Sequence, residues 1–143
     1  MFLHIVFGTK EQFPFITPDI RPRLHAYLAT VIRGLGADAL VIGGVEDHVH
    51  GLIRLPSPLP YAELLEKAKG NSSRWFNKTV PCGGKFRWQR GYGAFSVSYS
   101  NLSRVRRYIE NQEEHHRKMT FTEEVQKFLL RHAMEFDLED LKS

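Results

Sequence analysis

Apolar residues along the chain form four short runs of β-type composition, and these runs predict four strands. They extend from Phe2 to Gly8, from Ala39 to Val45, from His48 to Leu55 and from Ala94 to Tyr99. Only Glu46-Asp47 separates the second run from the third, which predicts a hairpin with a tight turn. The first and last strands must be joined to this hairpin by longer connections.

Two segments with apolar residues at helical spacing lie between these strands. The first begins near Pro18 or Asp19 and ends at Gly34 or Gly36. The second runs from about Tyr61 to Asn77. The order βαββαβ, with right-handed crossovers, predicts a ferredoxin-like α+β fold. In this fold two helices cover one face of an antiparallel sheet, and we expect the other face to be free.

Two more helices are predicted after the fourth strand. Ser100 can cap a helix that runs from Asn101 to about Lys118. Thr120 and Glu123 have the spacing of a capping box, which starts a last helix that continues through Met134. The pattern therefore predicts one domain over residues 1–143.

Composition narrows the class of protein further. The chain has 143 residues, of which 42% are hydrophobic and 25% charged, and these shares argue against disorder and fibrous repeats. Its single cysteine, Cys82, excludes an internal disulfide and a Cys-x-x-Cys zinc knuckle. The N-terminus lacks a basic region followed by an apolar one, and no apolar run approaches the ~20 residues of a membrane span. These features predict a cytoplasmic protein without membrane contact.

Basic charge is concentrated in one part of the chain. Residues 67–118 hold 12 Lys or Arg against 3 Asp or Glu, whereas the segments before and after it are slightly acidic. Aromatic residues lie among these cations, including Trp75, Phe76, Phe86, Trp88, Tyr92, Phe95 and Tyr99. Aromatics interleaved with Arg and Lys suit unpaired bases beside a phosphate backbone. The same pattern also fits a solvated face over core aromatics.

The first group with possible chemistry is His48-Val49-His50 on the third strand. Side chains alternate along a strand, so both imidazoles point to one face about 6.5 to 7 Å apart. That spacing allows both rings to bind one metal ion. The alternative is a half-buried strand with two solvated or backbone-bonded histidines.

The second group lies on the helix after the fourth strand. The apolar stripe of this helix consists of Leu102, Val105 and Ile109. At the same spacing the next positions are Gln112 and His116, where a packed helix would carry aliphatic residues. Tyr108 lies one turn before Gln112, about 6 Å away along the helix axis. Alternatively, Tyr108 borders the core and Gln112 bonds to the backbone.

Together the two groups predict chemistry on a phosphodiester. Two imidazoles and an amide oxygen can bind a divalent cation and leave positions open for phosphate oxygens. A nearby tyrosine could then attack the phosphorus atom and become covalently linked to it. Such an enzyme would cut DNA and rejoin it without ATP.

Three ordered sequence blocks carry a resemblance to a known family. They are His48-Val49-His50-Gly51-Leu52, Trp88-Gln89-Arg90-Gly91-Tyr92-Gly93-Ala94-Phe95-Ser96-Val97 and Tyr108-Ile109-Glu110-Asn111-Gln112. The chain resembles the single-tyrosine HUH transposases of small bacterial insertion sequences and their domesticated relatives, the REP-associated tyrosine transposases. The resemblance extends over nearly the whole chain.

The resemblance implies a role for each matching residue. His48 and His50 would be metal ligands, Gln112 the third ligand, and the ion Mg²⁺ or Mn²⁺. Tyr108 would be the nucleophile that forms a 5′-phosphotyrosine and releases a 3′ hydroxyl. The substrate would be single-stranded DNA with a hairpin at the element ends. A homodimer is also implied, in which the tyrosine of one subunit completes the site of the other.

Other predictions concern surfaces. The favoured DNA contacts are five arginines: Arg87, Arg90, Arg104, Arg106 and Arg107. The apolar second strand favours pairing with another chain, unless it is a buried central strand. Four residues keep open roles: Glu46, Asp47, His115 and His116.

Two alternative functions share part of this pattern. A non-catalytic RRM-type module for single-stranded nucleic acid has the same element order, and Arg90-Gly91-Tyr92-Gly93 begins like its RNP1 motif. Ala94 stands where that motif has Phe, and such a module needs neither Tyr108 nor Gln112. A two-histidine phosphoesterase would need a second His-x-Thr or His-x-Ser element, which the sequence lacks.

Overall fold

The computed structural model describes residues 1–116 and 119–132. Its strands are β1 (Phe2–Gly8), β2 (Asp38–Val45), β3 (His48–Arg54) and β4 (Gly93–Val97). Its helices are α1 (Arg21–Gly34), α2 (Tyr61–Thr79), α3 (Leu102–Glu110), α4 (Gln112–His115) and α5 (Phe121–His132). The strands form one sheet in the order β2-β3-β1-β4, and every neighbouring pair is antiparallel. The ferredoxin-like α+β prediction is confirmed.

The first face of the sheet carries the main hydrophobic core. Leu3, Ile5 and Phe7 of β1 point to this face together with Val49 and Ile53 of β3. The amphipathic helices α1 and α2 bury their apolar stripes against them. Burial of these side chains fixes the register of β1 against β3, because a shift by one residue would reverse both faces.

The second face, which we call the histidine face, carries His4, Val6, His48 and His50. The expectation that it is free was wrong, because α3, α4 and α5 lie over it. Val6 and Phe95 of the sheet form a second buried cluster with Phe121 and Val125 of α5. These apolar side chains leave water only if the sheet and α5 cover each other.

Two helix starts differ from the predicted ones. The first helix begins at Arg21 rather than near Pro18 or Asp19, because residues 18–20 form a turn and Pro22 occupies its first turn. The helix after β4 has Asn101 in the N-cap position without a side-chain hydrogen bond, so Ser100 does not cap it.

The predicted long helix after β4 is divided in two. Asn111 has φ −103° and ψ 28°, and this break separates α3 from α4. The predicted end at Lys118 lies outside the described residues, as does Met134 at the end of the last helix. The predicted capping box is present, since the Glu123 backbone N–H donates to Thr120 Oγ1 (3.2 Å) and the Thr120 N–H donates to Glu123 Oε1 (3.2 Å).

Strand β2 lies at the edge of the sheet, so the alternative of a central strand is wrong. Helix α3 packs closely on this edge at Gly43, where an added Cβ would lie 2.3 Å from the Ile109 carbonyl oxygen. The glycine is therefore needed for the approach of α3, the helix that carries Tyr108. In the described part of the chain, no helix is both long and apolar enough to cross a membrane.

We expect Gly43→Ala to destabilise the protein by about 1 to 3 kcal/mol, because the new methyl group would push against helix backbone. Gly34→Ala is the matched control, since an added Cβ there has no neighbour within 4 Å. Urea unfolding measures both variants. Equal unfolding free energies for Gly43→Ala and the wild type would show that α3 does not rest on β2.

Candidate active site

His48 and His50 lie side by side on β3 with no exposed surface, and their ring centroids are 5.1 Å apart. A partner on the inner nitrogen fixes each ring. His48 Nδ1 donates to Asp47 Oδ1 (2.7 Å), and His50 Nδ1 shares a hydrogen bond with His4 Nε2 (2.7 Å). Both Nε2 atoms therefore point into the space between β3 and the covering helices.

The break after α3 brings Gln112 to this pair. Gln112 is the first residue of α4 and is buried, and its Oε1 lies 3.0 Å from His48 Nε2. His116, one turn further, contacts His48 edge-on, with ring centroids 4.3 Å apart and an interplanar angle of 61°. The structure thus brings His48, His50 and Gln112 together, and it adds one of the histidines whose role was open.

Glu124 of α5 lies at the centre of the site, and the sequence reasoning missed it. Its Oε1 is 2.8 Å from His50 Nε2, 3.1 Å from His116 Nε2 and 3.4 Å from His48 Nε2. Only 1% of Glu124 is exposed. One feature of the sequence could have pointed to Glu124: its carboxylate interrupts the apolar face of a helix, between Phe121 and Val125.

These groups form a donor set that fits a divalent metal ion. The ligand atoms of His48, His50, His116 and Glu124 all lie within 4.8 Å of one another. Imidazole nitrogens combined with carboxylate and amide oxygens suit first-row ions such as Mn²⁺. The site therefore has the residues that a bound metal requires.

The buried groups of the site shift one another's pKa values. Burial alone would lower the pKa of His48, but its hydrogen bonds with Asp47 and Glu124 raise this pKa to about 9. Burial lowers the pKa of His50 to about 4, against the attraction of Glu124. The neighbouring His50, His116 and His48 hold the pKa of Glu124 well below its usual range, although burial opposes this shift. At neutral pH a charged His48 thus faces an ionised Glu124.

Tyr108 lies in the last turn of α3 and is half-buried. Its hydroxyl donates a hydrogen bond to Glu124 Oε2 of the same chain. His115 lies beside the phenol ring, with ring centroids 4.4 Å apart. The predicted nucleophile and the histidine pair therefore meet at one carboxylate.

The five predicted DNA-contacting arginines are all exposed, and they are Arg87, Arg90, Arg104, Arg106 and Arg107. Arg104 lines a groove of about 300 Å³ next to His4 and Phe128. Of the acidic residues with open roles, Asp47 orients His48, and Glu46 lies 4.0 Å from Arg21. Of the five arginines, Arg104 is thus the one that the groove places beside the histidine face.

Comparison with known families decides the classification. The family model described as "Transposase IS200 like" matches residues 1–112. The chain belongs to the IS200-like transposase family. Gln112 is the last residue of the matched region, so His116 and Glu124 of this transposase lie beyond it.

Two solved structures share the fold of this IS200-like transposase. One is the crystal structure of "a putative transposase from Deinococcus radiodurans R1", with 22% identity, a TM-score of 0.64, and coverage of 78% of this chain and 90% of that one. The other is a REP-associated tyrosine transposase bound to a REP hairpin, with 13% identity and a TM-score of 0.61. That match covers 77% of this chain and 64% of the other. No curated protein matches the chain.

Proposed function

We propose that the chain is a metal-dependent transposase of single-stranded DNA. In this proposal Tyr108 cleaves and rejoins DNA at hairpin-marked element ends through a 5′-phosphotyrosine. The observation that carries it is the meeting of the Tyr108 hydroxyl with the His48 and His50 imidazoles at Glu124. A non-catalytic RRM-type module needs no such arrangement, and membership of a transposase family argues against it.

The metal would be Mg²⁺ or Mn²⁺, held by His48, His50 and Gln112, with His116 and Glu124 completing the ligand set. A bound ion would supply Lewis-acid polarisation of the scissile phosphate. Asp47 and His4 keep the Nε2 atoms of the two imidazoles available for an ion by their hydrogen bonds to the inner nitrogens.

The proposed covalent step exchanges one phosphodiester bond for another. The phenol oxygen of Tyr108 forms a bond to phosphorus, and the bond from phosphorus to the 3′ oxygen breaks. Glu124 orients the phenol through the hydrogen bond that already joins the two groups, and the phenol proton passes to solvent water. The departing 3′ oxygen takes up a proton and becomes a hydroxyl. Attack of a 3′ hydroxyl on the phosphotyrosine reverses these changes and rejoins the DNA.

The test uses the full chain and a pool of single-stranded hairpin oligonucleotides with randomised flanks. With Mn²⁺ we expect a covalent adduct that survives denaturing electrophoresis, and peptide mapping should place it on Tyr108. Duplex DNA of the same sequences and chelation with EDTA should each prevent the adduct. Absence of an adduct on single-stranded DNA, or its attachment to another residue, would refute the proposal.

Binding to this DNA should weaken steeply with salt, with log K against log salt sloping by about −0.7 for each phosphate contacted on a single strand. We expect Arg104→Ala to make the slope shallower by about this amount. Arg23→Ala is the control. Arg23 lies on α1, and its side chain covers the ring of Trp75 on α2, away from the histidine face. If Arg104→Ala leaves the slope unchanged, Arg104 does not contact a DNA phosphate.

The homodimer with a composite site stays a prediction from the resemblance. Within one chain, Tyr108 already reaches Glu124 beside the histidine pair, which supports a site complete in a single subunit. Mixing inactive Tyr108→Phe with inactive His50→Ala protein distinguishes the two arrangements. If the site is complete within one subunit, mixed dimers, verified with two different tags, will stay inactive. Recovered cleavage would instead show that the tyrosine acts on the partner's site.

A further inference from the structure

Gln89 is completely buried, although its side chain ends in a polar amide. Neither Oε1 nor Nε2 has a partner within the described part of the chain. The backbone around it is held firmly, because Gln89 N–H donates to the Gly8 carbonyl (2.8 Å) and Lys69 Nζ donates to the Gln89 carbonyl (2.6 Å). A buried polar group without a partner costs stability, so packing does not explain the glutamine.

The unpaired amide lies on the histidine face, next to the proposed active site. A Cβ placed on Gly8 would lie 2.9 Å from Gln89 Oε1, which locates the amide over Gly8. Gly8 is directly opposite His48 in the register of β1 and β3. The amide is therefore a close neighbour of the first metal-ligand position.

A single aromatic ring covers both Gln89 and His48. Phe121 of α5 stacks on His48, with ring centroids 4.4 Å apart and an interplanar angle of 18°. The same ring lies over Gly8, where its Cε2 would be 2.6 Å from an added Cβ. Because His48 and Gln89 are both fully buried, DNA can contact the Gln89 amide only if covering side chains, Phe121 among them, move aside.

We propose that Gln89 is a specificity-determining residue whose amide binds the edge of a nucleobase beside the scissile phosphate. The inference rests on the proposed function. A glutamine amide offers one donor and one acceptor side by side, the pattern that pairs with N7 and N6 of adenine. Base edges are accessible in single-stranded DNA. The exposed Arg87 and Arg90 on either side supply the positive charge that holds the adjoining backbone.

Gln89→Met tests this role because it keeps the length of the side chain and removes both polar atoms. We expect thermal stability equal to or above that of the wild type, since an unsatisfied buried amide disappears. In the randomised hairpin pool, sequencing of the adducts should show an adenine preference at one position flanking the cleaved bond. That preference should fall at least fivefold in Gln89→Met. Exposed Gln126→Met is the matched control and should leave it unchanged.

A second variant keeps the test decisive if Gln89→Met folds poorly. Gln89→Glu has nearly the same shape but only accepts hydrogen bonds, so the preferred base should change from adenine to cytosine, which offers an N4 donor. If both variants show the same base preference as the wild type, the inference is overturned. A loss of stability in Gln89→Met with the preference intact would do so too, since the amide would then be structural. A wild type that forms no adducts would instead count against the proposed function itself.

Discussion

Tyr108→Phe should lose DNA cleavage by more than about 1000-fold, with no covalent adduct, while its affinity for single-stranded hairpin DNA stays within about twofold of the wild type. The substitution removes only the hydroxyl that donates to Glu124. The exposed arginines and the ring contact with His115 are kept. Denaturing gels measure the adduct, and fluorescence anisotropy with labelled oligonucleotides measures binding.

A matched control is available in Tyr99→Phe, because 82% of Tyr99 is exposed. This variant should cleave like the wild type. Loss of the hydrogen bond to Glu124 should make Tyr108→Phe less stable by about 1 to 3 kcal/mol. Cleavage and binding should therefore be measured well below the unfolding temperature of this variant. A Tyr108→Phe protein that still becomes attached to DNA would show that another residue is the nucleophile.

His50→Ala should abolish metal-dependent cleavage, and EDTA should have the same effect on the wild type. The imidazole contacts both His4 and Glu124, so its removal takes away one donor of the proposed metal set. His48→Ala should act in the same way. Because both rings are fully buried, each variant should also be less stable by about 1 to 3 kcal/mol.

A direct measurement of metal binding separates loss of the ligand from loss of stability. Mn²⁺ at 100 times its dissociation constant should stabilise the wild type by about 2.7 kcal/mol. The increase in melting temperature should be absent in His50→Ala and retained in His25→Ala, whose imidazole lies on α1 outside the cluster. Full cleavage in chelator, or an unchanged Mn²⁺ effect in His50→Ala, would contradict the metal site.

Local patterns were sufficient for most of the elements. Strand β1 has the predicted bounds, and the hairpin turn is at Glu46 and Asp47 as expected, because alternation and turn chemistry act over a few residues. The break at Asn111 was missed. An apolar stripe that continues into polar residues indicates which face they share, but it does not show that the backbone turns between them.

The amino-acid sequence by itself determined the fold class, the shared face of His48 and His50, and the proximity of Tyr108 to Gln112, because each depends on a short-range periodicity. Tertiary structure alone brought Glu124 to His50, 74 residues away along the chain, and placed Gln89 over Gly8. The first contact arises because α5 buries its apolar stripe against Val6 and Phe95, and the second because the Gln89 N–H donates to the Gly8 carbonyl. Such a choice of packing partner depends on the shapes of two distant surfaces, which no local pattern specifies.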